Sequence, residues 1–197
     1  MPDPDDDATR THGLSSRPMA PLRIGISACL LGARVRYDGG HRLNPLLARS
    51  WADDIQFIPF CPESECGLGT PREPMRLEGD ARHPRLRTLH SRIDHTHRVN
   101  QWCRYAIRKQ RTEKLSGYLL KSRSPSCGLT GVPVLSKRGE PLPGMGIFPR
   151  LVLADRPHLP LAEGDLLLDE EAVWCFLRQA RGLEGNPSLA GTGVAID

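Results

Sequence analysis

The chain has 197 residues, a formal net charge of +4, 39% hydrophobic and 25% charged residues, and six cysteines. This balance excludes an intrinsically disordered chain and allows one domain with a core large enough to fold without a disulfide or metal staple. No apolar run approaches the roughly 20 residues of a membrane span, and the acidic N-terminus lacks the apolar segment of a secretory signal, so a cytoplasmic protein with reduced thiols is expected.

Met1 to Ala20 carries Asp3, Asp5, Asp6 and Asp7 among Pro, Ser and Thr without a hydrophobic period, and reads as a disordered tail over 1–20. Leu22 to Ser27 (LRIGIS) alternates and reads as a buried strand ending just before Cys29. Tyr37-Asp38-Gly39-Gly40 signals a turn, and Asn44-Pro45 supplies an N-cap and an N1 proline for a helix from Pro45 to about Ala52. Ile55 to Phe60 (IQFIPF) is a second strand-like run, with Cys61 at its C-terminal edge. Cys66 to Leu77 is a loop by its glycine and proline content. Between Ile93 and Glu113, the residues Ile93, Val99, Trp102, Cys103, Ala106 and Ile107 fall on one face of the longest expected helix. Gly117 to Lys121 is a third strand, followed by the punctuated turn Ser122 to Gly128 that holds Cys127. Further on, Pro141 to Phe148 is irregular, Ile147 to Ala154 suits a short helix, and Asp169 to Ala180 opens with the acidic first turn of a helix. The segment 183–197 reads as a second tail, which leaves 21–182 as the folded domain.

The order strand, helix, strand, long helix, strand predicts an α/β fold: a single domain with a parallel or mostly parallel, Rossmann-like sheet flanked by helices. In such a sheet the C-terminal strand ends share one edge, where ligands bind. Cys29, Cys61 and Cys127 each follow a different predicted strand, so three chain-distant thiols are expected on one rim. No closely spaced Cys pair of the structural-zinc kind is present among them. Three soft thiolates without an evident fourth ligand suit a 4Fe-4S cluster with one iron open to substrate. The competing reading is that these cysteines pack as small apolar residues at strand ends. Cys103 and Cys175 sit in apolar company and read as core.

Four successive motifs carry a resemblance. They are Ser27-Ala28-Cys29-Leu30-Leu31-Gly32; Val35-Arg36-Tyr37-Asp38-Gly39-Gly40; Cys61-Pro62-Glu63 with Gly67-Leu68-Gly69-Thr70-Pro71-Arg72; and Lys121-Ser122-Arg123-Ser124-Pro125-Ser126-Cys127-Gly128. In this order they resemble the TudS-like thiouracil desulfidase family, as does the later Gly144-Met145-Gly146-Ile147-Phe148, over about Leu22 to Gln179. The resemblance implies a 4Fe-4S cluster on Cys29, Cys61 and Cys127. It also implies hydrolytic, non-redox removal of sulfur as sulfide from a thiolated uracil base, nucleoside or nucleotide. Cys66 is an additional thiol beside the second ligand and an alternative to it.

Within that resemblance, Glu63 and Ser124 are the catalytic candidates: a carboxylate to take a proton from water and a hydroxyl to orient water or ring. Asp38, Arg72 and Ser126 are candidate substrate contacts, with arginine suited to a phosphate and aspartate to an imide N–H. The arginines and histidines concentrated between Arg72 and Arg111 suit an anionic partner, a nucleotide or tRNA, or simply a solvated helix face. No appended helical domain favours tRNA. The rival function is a redox or iron-sensing module built on the same cluster.

Overall fold

The structure is a computed structural model, and it describes residues 21–49, 51 and 55–182. Both expected tails lie outside the described residues. Four strands form a wholly parallel sheet: β1 (Leu22–Ser27), β2 (Ile55–Phe60), β5 (Gly117–Leu120) and β8 (Leu161–Glu163), in the order β2-β1-β5-β8. The register runs from Leu22 opposite Ile55 to Ser27 opposite Phe60, with Ile24 opposite Gly117. All four residues of β5 are buried, as a central parallel strand covered on both faces requires.

One face of this sheet packs Leu22, Ile24, Ile26 and Leu119 against Leu47 of α1 (Pro45–Ala48) and Val173, Phe176 and Leu177 of α5 (Glu170–Ala180). The cap expected at Asn44 is present, accepting from the Leu46 N–H at 3.0 Å, and Asp169, read as the start of an acidic first turn, proves to cap α5 by accepting from the Ala172 N–H at 2.8 Å. The other face presents Phe60, Tyr118 and Leu120 to α3 (Thr96–Thr112) and α4 (Ile147–Asp155). Phe60, Tyr118 and Phe148 form an aromatic cluster there, with ring centroids 4.5 to 5.9 Å apart. Gly25 lies beneath the Tyr118 ring, where a Cβ would come within 2.3 Å of it.

The α/β class and the parallel sheet match the sequence reading; three local expectations change. α1 ends at Ala48, with 50 and 52–54 outside the described residues. α3 starts at Thr96, and Ile93 is exposed in the preceding loop instead of lying on the apolar face, while Val99, Cys103, Ala106 and Ile107 are buried as expected. A second sheet arises where no strand was expected: β3 (Met75–Glu78) and β7 (Pro141–Gly144) from segments read as irregular, and β4 (Arg85–Thr88) and β6 (Val132–Leu135) from segments given no element, in the order β4-β3-β6-β7. The end of the Cys66 to Leu77 loop and the start of the Pro141 to Phe148 segment are therefore strands. Pro141 and Pro143 are tolerated because β7 is an edge strand. Two further elements were not expected: the short helix α2 (Pro62–Glu65) and β8. Among the described residues no helix is long and apolar enough to cross a membrane.

Candidate active site

A parallel sheet delivers every strand's C-terminal end to one edge, and this edge carries the chemistry. Cys29 sits in the single 3-10 turn after β1, Cys61 caps α2 directly after β2, and Cys127 lies in the turn after β5. All three line one cavity of about 650 Å³, together with Asp38, Glu63, Arg72 and Ser124. Cys66 does not line it; its Sγ faces the Glu63 carbonyl at 3.2 Å and it packs against the core. Cys103 is fully buried in the core and Cys175 lies on α5, so neither reaches the cavity.

Burial, reinforced by neighbouring Cys61, pushes the Cys29 thiol up to about 11, against the pull of Lys121 and Arg36. Burial also drives the Cys127 thiol well upward, with Cys61 and Cys29 adding repulsion and a hydrogen bond from Ser27 opposing it. The three sulfurs are thus within electrostatic reach of one another. Bare thiolates here need a compensating cation. Among the described residues no three His, Cys, Asp or Glu side chains are grouped to hold a single metal ion. An iron-sulfur cluster makes a different demand, because iron and sulfide fill the space between thiolates that ring a wider volume. Three soft donors around one cavity, Cys29 and Cys127 buried and Cys61 half-buried, fit such a cluster.

Glu63 is held on both sides. Arg72 donates Nε to its Oε2 at 2.7 Å, with Nη2 also at 2.7 Å, and Ser126 donates Oγ to its Oε1 at 2.7 Å. Arg72 is itself engaged with the Val35 carbonyl at 2.9 Å and the Gly69 carbonyl at 3.1 Å, and its N–H with the Tyr37 carbonyl at 2.8 Å. It therefore staples the 35–37 loop to the loop after α2. Ser126 is completely buried and does not line the cavity. Asp38 does line it, near the surface, where the Arg36 hydrogen bond at 3.2 Å and the Gly40 N–H at 3.0 Å hold its carboxyl below the usual range.

Ser124 caps the Cys127 turn: its Oγ accepts from the N–H groups of Ser126 (3.3 Å) and Cys127 (3.1 Å), leaving its own proton free to point elsewhere. The start of α4 braces the same turn, since the N–H groups of Gly146, Ile147 and Phe148 reach the carbonyls of Gly128, Pro125 and Ser126 at 2.8, 3.2 and 2.9 Å. A Cβ on Gly146 would lie 2.9 Å from the Ser126 carbonyl carbon and 3.0 Å from the Cys127 nitrogen. This close approach is what the Gly144-Met145-Gly146-Ile147-Phe148 segment contributes. On the other side, Asp165 accepts from Ser122 N and Oγ, both at 2.7 Å, and pairs with Lys121 Nζ at 2.9 Å. Burial works against the Asp165 carboxylate, but the Ser122 and Lys121 bonds prevail and keep its pKa low.

Sequence reading gave no role to four lysine and arginine residues of the cavity: Arg36, Arg42, Lys121 and Arg123. Lys121 and Arg36 bear on Cys29. The guanidinium groups of Arg42 and Arg123 have no partner among the described residues, and Arg123 holds a left-handed φ of 53°. Three of the four lie inside or beside the quoted motifs, so the signal was present but was assigned to Arg72 alone. Asp165, far along the chain, left no local signal.

The 2-thiouracil desulfurase family model matches residues 24–164. A solved structure of the [4Fe-4S]-dependent thiouracil desulfidase TudS is similar, at 30% identity and a TM-score of 0.61, covering 79% of this chain and 98% of that one. Uncharacterized protein YbbK of Bacillus subtilis (strain 168) is 28% identical over 134 residues, which are 66% of this chain and 88% of YbbK. With the family model spanning all three cavity cysteines and the match to TudS extending over nearly that whole molecule, this chain belongs to the 2-thiouracil desulfurase family.

Proposed function

We propose that this protein is a cytoplasmic desulfidase that removes sulfur from thiolated uracil compounds by hydrolysis, releasing sulfide, with a 4Fe-4S cluster held by Cys29, Cys61 and Cys127. The observation that carries this reading is the convergence of three thiols from three strand ends on one cavity that Glu63 also lines. When bound, the cluster supplies an iron free of protein thiolate, a soft Lewis acid toward the thiocarbonyl sulfur.

The chain's own groups account for the rest. Glu63 takes the proton from the attacking water, and Arg72 and Ser126 fix its two oxygens so that the carboxylate cannot swing away. Arg72 and Ser126 are positioning residues in this scheme, not substrate contacts. The Ser124 hydroxyl, whose oxygen is anchored by two N–H groups, donates a hydrogen bond to the water or to a ring heteroatom and keeps its proton. Asp38 accepts an imide N–H. Arg42 and Arg123, unengaged at the cavity wall, take over the phosphate-binding role first given to Arg72, and favour a thiouridine phosphate over the bare base.

The test uses anaerobically prepared protein, analysed for iron and acid-labile sulfide, then incubated with thiouracil, thiouridine and thiouridine monophosphate. Stoichiometric sulfide and the uracil compound are expected, with the highest kcat/KM for the phosphate and a loss of that advantage at high salt. Cluster without turnover on any of the three would instead favour the sensing module.

A further inference from the structure

The mixed sheet has two unlike faces. Leu77, Leu86, Val132 and Val134 point inward to the core. By the two-residue alternation of a strand, Arg76 and Glu78 of β3 and Arg85 and Arg87 of β4 point outward. There they line a second cavity, also of about 650 Å³, on the side of β3 opposite Leu77. Lys137 from the β6–β7 turn and Arg92 from the loop before α3 complete its wall.

The charges at this face are arranged at a cost. The register sets Arg76 directly opposite Arg87, a like-charge cross-strand pair that disfavours the sheet. Arg92 takes a left-handed φ of 60°, a conformation that side chains beyond glycine rarely adopt, and from there donates to both oxygens of Glu78 at 2.5 and 2.6 Å. Arg76 reaches the same carboxylate at 2.6 Å, while Arg85 and Arg87 share Asp94 at 3.3 and 3.4 Å. Four guanidinium groups thus divide two carboxylates among them and retain unused donors. Lys137 has no partner among the described residues. Asp80, paired with His83 at 3.9 Å, is the one further carboxylate on the wall.

We propose that this face is a second anion-binding site, separate from the cysteine cavity, which takes the phosphate groups of a polyphosphorylated ligand. Adjacent guanidinium groups on a fixed sheet register suit neighbouring phosphates through paired N–H donors. Among the described residues no Phe, Tyr or Trp lines the cavity, and its one imidazole, His83, is turned to Asp80 at 3.9 Å, so recognition falls on phosphate more than on stacked bases. The site stands independently of the desulfidase reading.

Binding of inorganic tripolyphosphate and of a short single-stranded RNA, each measured by calorimetry at low salt, tests this. Two double variants are compared with the native protein: Arg87→Gln with Lys137→Glu, and Arg42→Gln with Arg123→Gln. The expected result is a saturable component of binding that weakens with salt, survives in the second variant, which lacks the phosphate contacts proposed for the cysteine cavity, and falls by about tenfold or more in the first. Far tighter binding of RNA than of tripolyphosphate, with the same sensitivity, would identify the source as a nucleic-acid strand; similar affinities would identify a free polyphosphate. Undiminished binding in the first variant, loss confined to the second, or no measurable binding of either probe overturns the proposal. Circular dichroism of the first variant checks that it is folded, and Lys137→Glu alone, at an exposed turn, repeats the test with least disturbance.

Discussion

Two carboxylate–guanidinium pairs, Glu63 with Arg72 and Glu78 with Arg92, have nearly the same hydrogen-bond lengths and opposite settings. The first lies at the C-terminal edge of the parallel sheet, with both side chains only 10 to 12% exposed, and every neighbouring group is a loop that carries a cysteine or its support. The second lies on the outward face of the mixed sheet, where Glu78 is 14% exposed but its partner Arg92 is 45% exposed. The carboxylates are therefore covered alike and the guanidinium groups are not: water screens Arg92 and can take its place, whereas Arg72 has only its protein partners. A site that must hold a proton acceptor and a cluster in fixed relation belongs in the first setting. A surface that exchanges partners with an arriving anion belongs in the second.

The largest effect should come from the cavity thiols. Serine at Cys29, Cys61 or Cys127 is expected to abolish cluster retention and desulfuration, whereas Cys66→Ser and Cys103→Ser should keep both, as read from anaerobic iron and sulfide content. Equal loss from Cys66→Ser would move the ligand assignment to the core side of α2 and break the contrast drawn above.

Next in size is the pair that organises the edge. Glu63→Gln should keep the cluster but lower the single-turnover rate by roughly 10² to 10⁴. Arg72→Ala strips Glu63 of its cation and removes the side-chain tie to the Val35 carbonyl, so it should cost about 3–5 kcal/mol in denaturant unfolding. If Glu63→Gln turns over at the native rate with its cluster intact, the proton acceptor is another group. If Arg72→Ala is as stable as the native protein, burial does not distinguish the two pairs.

The smallest effect is expected at the pair with the exposed guanidinium. Glu78→Gln should cost about 1 kcal/mol near neutrality, because water screens the half-exposed guanidinium groups of Arg92 and Arg76 although Glu78 itself is largely covered. Arg92 foremost, and then Arg76 against the opposing effect of burial, bring the Glu78 carboxyl down to about 2. Because its folded value is depressed, its contribution is complete above the ordinary carboxylate value and is lost as the pH falls through about 2. Native protein should therefore lose stability between about pH 4.5 and 2 more steeply than Glu78→Gln. Parallel acid limbs would show that Glu78 is not linked to folding.

Local sequence pattern was enough for three of the four strands of the parallel sheet, the helices beginning at Asn44-Pro45 and Asp169, and the three cysteines on one edge. These follow from local periodicity, caps, and the rule that parallel strands end together, none of which depends on distant residues. What Arg72 and Ser126 do was decided only by tertiary structure. As isolated residues they read as substrate contacts, but the fold directs both onto Glu63, and among the described residues leaves Arg42 and Arg123 without a partner at the wall. The mixed sheet was hidden for the same reason. Its strands have four residues each and include prolines, too short for a period to show, and β3 and β6 are brought together from more than fifty positions apart only by the core they jointly cover. Short strands of this kind draw their stability from long-range packing, and no local pattern records it.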